Sequence, residues 1–210
     1  MEYVLLGWPE AGPTLTLDWQ RFSYAGKFVM SNTGKAVVRT GEVAGPPVTD
    51  DGDAAADVVA AAAFNEDRTD SSVCWIRYIT VREDRRGDGI GPDLAAFVAA
   101  RARDRGYDRA RIAVNNPFAY QALYRAGFAF TGEETGVAEL VLDRPLGEGS
   151  GATDAGRPAA DRSRSTYQAG LDIYRERAET DDGPGLSADE REFLVEKGNS
   201  GPPGPVDPPA

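Results

Sequence analysis

No histidine occurs anywhere in this chain, and there is one cysteine, Cys74. Lysine is nearly missing too: Lys27, Lys35 and Lys197 are the only ones, and every other basic side chain is arginine. Each absence removes chemistry. Without imidazole there is no Ser-His-Asp or Cys-His site and no histidine metal ligand. A lone cysteine makes neither an intrachain disulfide nor a thiolate cluster. Cys74 lies among Val73, Trp75 and Ile76, which reads as a buried, inert thiol rather than a nucleophile. The longest apolar run, Val58 to Phe64, is far too short to span a bilayer. The N-terminus has neither a basic region nor a long apolar run, so no signal peptide is read there and a cytoplasmic protein is expected.

Positive charge is also in deficit: 34 acidic against 23 basic residues give a net charge of -11. That balance disfavours nucleic acid and anionic membrane as partners and weakly favours an amine-bearing one.

The most informative stretch is Ile79-Thr80-Val81-Arg82-Glu83-Asp84-Arg85-Arg86-Gly87-Asp88-Gly89-Ile90-Gly91-Pro92-Asp93-Leu94. A β-branched strand runs into a charged turn, then glycines at alternate positions, then a helix. Glycine allows close backbone approach and φ > 0. A helix N-terminus offers unpaired N–H groups and the positive end of a dipole, which suits a phosphate. The dinucleotide fingerprint G-x-G-x-x-G fails because Pro92 stands where its third glycine belongs, although Asp108 lies about 20 residues on. The Walker loop fails too: Ala36 follows Gly34-Lys35, and position 29 is Val29. What remains is Arg86-x-x-Gly89-x-Gly91, and this resembles the coenzyme-A-binding motif Q/R-x-x-G-x-G/A of the GNAT acetyltransferase superfamily.

A second element supports that resemblance. In residues 110–128, Ile112 and Val114 end a strand, and Asn116 is a natural N-cap with Pro117 at the first helical position. Ala119, Ala122, Leu123 and Ala126 form an apolar stripe, and Gly127 closes the helix before Phe128. This resembles the superfamily's second signature, N-x-x-A-x-x-L-Y-x-x-x-G-F, with the Leu-Tyr pair one place late. The resemblance covers about residues 57–145. The acidic, arginine-for-lysine composition further resembles that of a haloarchaeal member.

The resemblance implies an α+β fold, a mixed and mostly antiparallel sheet flanked by helices, here with a C-terminal helical extension. It implies acetyl-CoA as co-substrate and no metal. Pantetheine would pair with Ile79, Thr80 and Val81, and the pyrophosphate would meet Arg86, Gly87, Asp88, Gly89, Ile90, Gly91 and Pro92. Asn116 would orient the cofactor, cap its helix, or both. Tyr124 most nearly matches the family's tyrosine that protonates the departing thiolate, and core packing is the alternative; an ungapped match puts Leu123 in that place. Pro92 lacks an N–H to give, and Asp88 brings a negative charge that Arg82, Arg85 and Arg86 offset. Strand positions where relatives carry a glutamate base are Trp75 and Ala113, leaving Glu66, Glu133, Glu134 or water. The implied reaction is direct acetyl transfer to a primary amine of a small molecule or peptide; the alternative is a catalytically silent acyl-CoA-binding regulatory module. A homodimer is among the assemblies open to it.

Elsewhere the sequence predicts strands at Tyr3–Trp8, Asp57–Asn65, Val73–Arg82 and Ala138–Leu142, and short strands within 14–45 around turns at Tyr24–Gly26 and Asn32–Gly34. Thr131–Gly136 reads as a turn and Gly41–Ala54 as a loop. The acetyltransferase domain is expected over 1–145, a flexible linker over 146–163, a helical hairpin over 164–197 and a disordered Gly/Pro-rich tail over 198–210. Ser187 and Glu190 form a capping box for the second hairpin helix. The hairpin either supplies an acceptor wall or stands apart as an appendage. Arg77, charged within an apolar strand, either pairs with Glu139, the favoured reading, or binds a substrate carboxylate.

Overall fold

The structure is a computed structural model, and it describes residues 1–41, 56–147, 161–179 and 185–209. Its strands are β1 (Glu2–Gly7), β2 (Gly34–Arg39), β3 (Val58–Glu66), β4 (Val73–Val81), β5 (Arg109–Val114), β6 (Ala129–Glu134) and β7 (Leu140–Pro145). The helices are α1 (Ile90–Asp104), α2 (Pro117–Arg125), α3 (Arg164–Glu179) and α4 (Ala188–Glu196). One sheet results, in the order β1-β2-β3-β4-β5-β7-β6. Every neighbouring pair is antiparallel except β4–β5, which are parallel and joined through α1. The α+β fold expected from sequence is the one observed.

The alanines of β3 set how closely its neighbours approach. Alanine is a poor strand former by propensity, but Ala60, Ala61, Ala62 and Ala63 are all fully buried. Ala60 and Ala62 belong to the core shared with α1 residues Leu94, Ala95 and Val98. Ala61 and Ala63 join a second core with Leu15, Leu17, Phe22 and Phe28. Small side chains on both faces let a helix and an irregular segment each lie close to the strand.

Of the stretch 14–45 expected to hold short strands, Gly34–Arg39 forms β2, whereas residues 14–33 form no ladder and hold only a 3-10 turn at Ala25–Lys27. The alternation of Leu15 and Leu17 that suggests a strand instead plugs side chains of a wrapping segment into the sheet face. The turn expected at Thr131–Gly136 is displaced as well. β6 runs to Glu134, and the reversal falls at Thr135–Glu139, closed by Thr135 N–H on Glu139 O at 2.9 Å. The loop expected at Gly41–Ala54 and most of the expected linker lie outside the described residues.

The C-terminal helices are part of the core. Tyr167, Leu171 and Tyr174 of α3 are buried in the same cluster as α1, α2 and the sheet. Tyr120, Tyr124, Tyr167 and Tyr174 pack edge-to-face or stacked with ring centroids 4.8–6.0 Å apart. Gly170 makes the approach possible, because a Cβ there would overlap the Tyr120 hydroxyl. A glycine inside a helix costs ~1 kcal/mol against alanine, and here it admits a buried tyrosine. α4 carries its capping box and packs Phe193 on Phe118 of α2, centroids 5.0 Å apart.

Residues 198–209 depart from the expected disorder. Val206 N–H donates to Arg125 O at 2.7 Å. Arg162 Nη2 donates to Pro203 O, and Gln168 Nε2 donates to Lys197 O and Ser200 O. Proline and glycine supply no side-chain signal for such docking, yet their carbonyls remain strong acceptors.

Candidate active site

β4 and β5 share a ladder only from Val73–Ile76 against Arg109–Ile112. Beyond Ile76 the two strands part, so one edge of β4 from Arg77 to Val81 has no strand beside it among the described residues. An open edge of backbone N–H and C=O groups can hydrogen-bond an extended ligand as an added strand would. On its other edge β4 is held by β3, with a bulge: Ala63 pairs with Tyr78 and Phe64 with Ile76, leaving Arg77 without a partner.

A groove of about 600 Å³ opens along that free edge. Ile79, Thr80 and Val81 line one side, and Arg85, Arg86, Gly87, Gly89, Ile90, Gly91 and Pro92 close one end. Phe118, Ala119, Gln121, Ala122, Leu123 and Arg125 of α2 form the facing wall.

The glycine loop is a cradle of unused donors. Gly87 and Gly89 adopt φ of 91° and 82°, left-handed conformations that favour glycine, and a Cβ on either would meet nothing within 4 Å. Gly89 is the N-cap of α1 and gives it no side-chain cap. The backbone N–H groups of Gly87, Asp88, Gly89, Ile90 and Gly91 have no acceptor among the described residues. Orphan donors at a helix N-terminus are an anion site. Pro92 occupies the first turn of α1, where a missing N–H breaks no helical bond.

The charges around the cradle are arranged to leave it positive. Arg85 Nε bonds Asp88 Oδ2 at 2.9 Å, and Arg82 Nε bonds Asp84 Oδ1 at 2.6 Å. Asp88 thus turns to Arg85 and is not among the lining residues. Arg86 is tethered by Nη2 to Ser23 Oγ at 3.1 Å. Glu83 N–H also reaches Arg21 O at 3.0 Å, so the irregular segment 18–24 buttresses the loop.

A model of the acetyltransferase (GNAT) family matches residues 7–128 of this chain. The chain belongs to the GNAT acetyltransferase family. Solved structures with a similar fold include a Bacillus subtilis acetyltransferase in complex with CoA, at 15% identity and TM-score 0.42, covering 54% of this chain and 77% of that one. Nourseothricin acetyltransferase is similar at 18% identity and TM-score 0.45, covering 70% of this chain and 98% of that one. A phosphinothricin acetyltransferase from Sinorhizobium meliloti in complex with AcCoA is similar at 18% identity and TM-score 0.43, covering 58% and 65%. No protein of curated function matches the sequence. As a GNAT acetyltransferase the protein is an acyltransferase enzyme.

Set in the GNAT frame, the predicted site residues divide. Ile79, Thr80, Val81, Arg86, Gly87, Gly89, Ile90, Gly91 and Pro92 are brought together around the groove. Asn116 is not on its wall; its Oδ1 caps α2 by accepting Ala119 N–H at 2.8 Å. Tyr124 is not there either. Its side chain is fully buried between α2, β6 and α3, and its hydroxyl accepts the Phe130 N–H at 3.0 Å. Burial pushes that phenol upward, with the Phe130 hydrogen bond pulling the other way. Tyr124 packs in the core, and Leu123, where an ungapped match to the signature puts the tyrosine, lines the groove.

No Asp or Glu among the described residues lines the groove. Glu134 is ion-paired with Arg177, and Glu66 and Glu133 are likewise not on its walls. Cys74 is fully buried and its thiol is pushed up to about 12 by burial. Arg77 does not meet Glu139, whose backbone and side chain turn to Thr135. Its Nε donates to Asn65 Oδ1 at 2.7 Å, and its guanidinium lies 4.3 Å from the Trp75 ring centroid.

Sequence reasoning missed Arg125, Gln121 and Phe118. Arg125 is exposed on the groove wall facing the loop, and its guanidinium has no partner among the described residues. Its signal was present: Arg125 lies four residues after Gln121 and three after Ala122, the spacing that puts side chains on one helix face, and both of those line the groove. No group of acidic, cysteine or histidine side chains suited to a metal occurs among the described residues. No helix among them is long and apolar enough to cross a membrane.

Proposed function

We propose that this protein moves the acetyl group of acetyl-CoA directly onto a primary amine. The observation that carries the reading is the set of unpartnered amides from Gly87 to Gly91, opening on the groove beside the free edge of β4. A pyrophosphate would take those amides, with Arg86 and Arg125 supplying positive charge from the two walls. Pantetheine would extend along Ile79 to Val81 as an added strand, carrying the thioester toward the bulge at Arg77.

The chemistry then asks little of side chains. The amine nitrogen attacks the thioester carbonyl, the C–N bond forms and the C–S bond breaks. A backbone N–H at the open edge of β4 meets the oxyanion. The thiolate leaves without a phenolic acid beside it, in keeping with Tyr124 being buried away from the groove that Leu123 lines. An ordinary thiol has a pKa near 8.5, so its anion is a good leaving group, and the proton lost by the nitrogen returns to it through water. Proximity in the groove supplies the larger part of the acceleration.

Composition supports a haloarchaeal, cytoplasmic setting, because an Asp-rich, Lys-poor surface keeps its hydration in strong salt. Acetyl-CoA titrated by calorimetry in multimolar KCl, followed by thiol release against an amine panel, tests the whole reading. Binding with amine-dependent release is expected. Folded protein that binds no acetyl-CoA would refute it, and binding without release under any amine would leave an acyl-CoA-binding module.

A further inference from the structure

The sheet face opposite α1 carries a guanidinium, Arg77, that makes no ion pair with any carboxylate among the described residues. Trp75 of β4 stands there with Arg77 4.3 Å and Arg111 5.5 Å from its ring centroid. Arg111 is fully engaged, with Nε and Nη2 on Asp143 at 2.7 and 2.8 Å. Arg109 adds a third bond to the same carboxylate at 2.8 Å. Asp143 therefore serves two arginines, and Arg77 is left over. Its only hydrogen bond runs from Nε to the neutral Asn65; Nη1 and Nη2 have no acceptor among the described residues. Asp67 is near enough to be felt electrostatically, but it makes no ion pair with Arg77, and its Oδ1 is taken by Thr69 N–H and Oγ1 at 2.8 and 2.7 Å.

A partly buried guanidinium with both Nη groups unused is poised for a carboxylate, which it binds in bidentate fashion. Its place in the fold gives that carboxylate an address. Arg77 sits at the bulge where β4 and β5 part, two residues before Ile79, which lines the groove. At about 3.3 Å per residue, that is a distance an amino acid and an arginine side chain together bridge. The next residue, Tyr78, packs against the ring of Tyr24 at 5.9 Å, and the Lys27 ammonium stands 5.9 Å from the Tyr78 centroid. Tyr24 is half exposed and held at φ 61°, a left-handed conformation rare for a tyrosine. This face thus offers a guanidinium whose Nη groups have no acceptor among the described residues, a second cation and two aromatic rings.

We infer that Arg77 binds the carboxylate of the acetyl acceptor, and that the acceptor is an amino acid rather than a simple amine. The inference rests on the acetyl-transfer reading above and names its substrate class. The acetyl C–N bond forms at the amino nitrogen, the C–S bond of acetyl-CoA breaks, and the proton released goes to the thiolate through water. Arg77 holds the carboxylate and takes no part in the proton transfer.

The test compares thiol release from acetyl-CoA with the common L-amino acids and with their amides. The amides hold a much larger fraction of unprotonated amine at neutral pH, so a preference for the acids cannot come from intrinsic reactivity. The expected result is at least a 30-fold higher kcat/KM for one or more acids than for the matching amides. Arg77→Gln should erase that ratio by raising KM, and Arg77→Lys should restore part of it. Equal turnover of acid and amide, an unchanged KM in Arg77→Gln, or no amino acid turned over by protein that binds acetyl-CoA would each overturn the inference. The acid-to-amide ratio on the unaltered protein needs no variant to fold. Failure to bind acetyl-CoA at all is a different result and would bring down the transferase reading itself.

Discussion

Replacing Tyr124 with phenylalanine separates two roles for one hydroxyl. A phenol that protonates the departing thiolate would lower kcat when removed and leave stability nearly untouched. The structure assigns the opposite. The Tyr124 hydroxyl accepts the buried Phe130 N–H at 3.0 Å and stands 3.4 Å from the Tyr120 hydroxyl. Tyr120 keeps its own bond to Tyr167 O at 3.1 Å in the variant, so the loss falls on Phe130, whose amide is left in an apolar surround. An orphaned buried donor costs about 1–3 kcal/mol. For a chain of this size each kcal/mol moves the melting midpoint by roughly 2–4 °C, so a fall of roughly 2–12 °C is expected. The ring remains, with its contacts to Tyr120 and Tyr167. Differential scanning calorimetry and initial-rate thiol release on one preparation decide the matter. An unshifted midpoint together with a tenfold or greater drop in kcat would refute the placement of this residue.

Four further substitutions probe other parts of the molecule. Gly89→Ala forces a methyl group at φ 82° and should cost about 1–2 kcal/mol, while raising the acetyl-CoA dissociation constant at least tenfold. Gly106→Ala, at φ 97° and away from the groove, should lose similar stability with no change in affinity; equal affinities in the two variants by calorimetry would refute the cradle. Gly170→Ala drives a Cβ into the Tyr120 hydroxyl, so α3 must shift; thermal melts should show a loss of more than 2 kcal/mol, in the range of overpacked cores, and a neutral result would mean α3 does not press on α2. Lys35 is fully buried on Met30 O and Thr33, and burial lowers its ammonium to about 8. Below that pH both folded and unfolded chains hold the proton. Between about 8 and 10.5 the unfolded chain binds a proton that the folded one lacks, so this residue's contribution to stability rises with pH. Urea melts from pH 7 to 10 should show wild type gaining on Lys35→Met across that window, and parallel curves would contradict it.

What was legible in the sequence was whatever the chain encodes within a turn or two. The glycine loop, the Asn116 cap and the Ser187–Glu190 capping box are local patterns, and each forms as read. Tyr124 was not legible because one position on a helix is a rotation of about 100°, enough to carry a ring from the groove wall into the core. Arg77 was misread because its partner depends on where a bulge falls in the β3–β4 ladder, which no spacing announces. Residues 14–33 look like strands since Leu15 and Leu17 alternate, but a wrapping segment buries alternate side chains just as well. The docked tail was invisible for a different reason: Arg162 and Gln168 bind its carbonyls, and carbonyls are common to every sequence.

The stretch that identifies this protein as a GNAT acetyltransferase ends at Phe128, whereas the unit that holds its groove together does not. α2 faces the groove with one side and rests its other side on α3, α4 and the returning tail through Tyr120, Phe118 and Arg125 O. The recognisable module is therefore not the cooperative one. Without the C-terminal brace, the α2 tyrosines Tyr120 and Tyr124 would be exposed aromatic surface. A drift in the tail sequence is accordingly felt first as looseness of the groove wall, far from any residue that touches the cofactor.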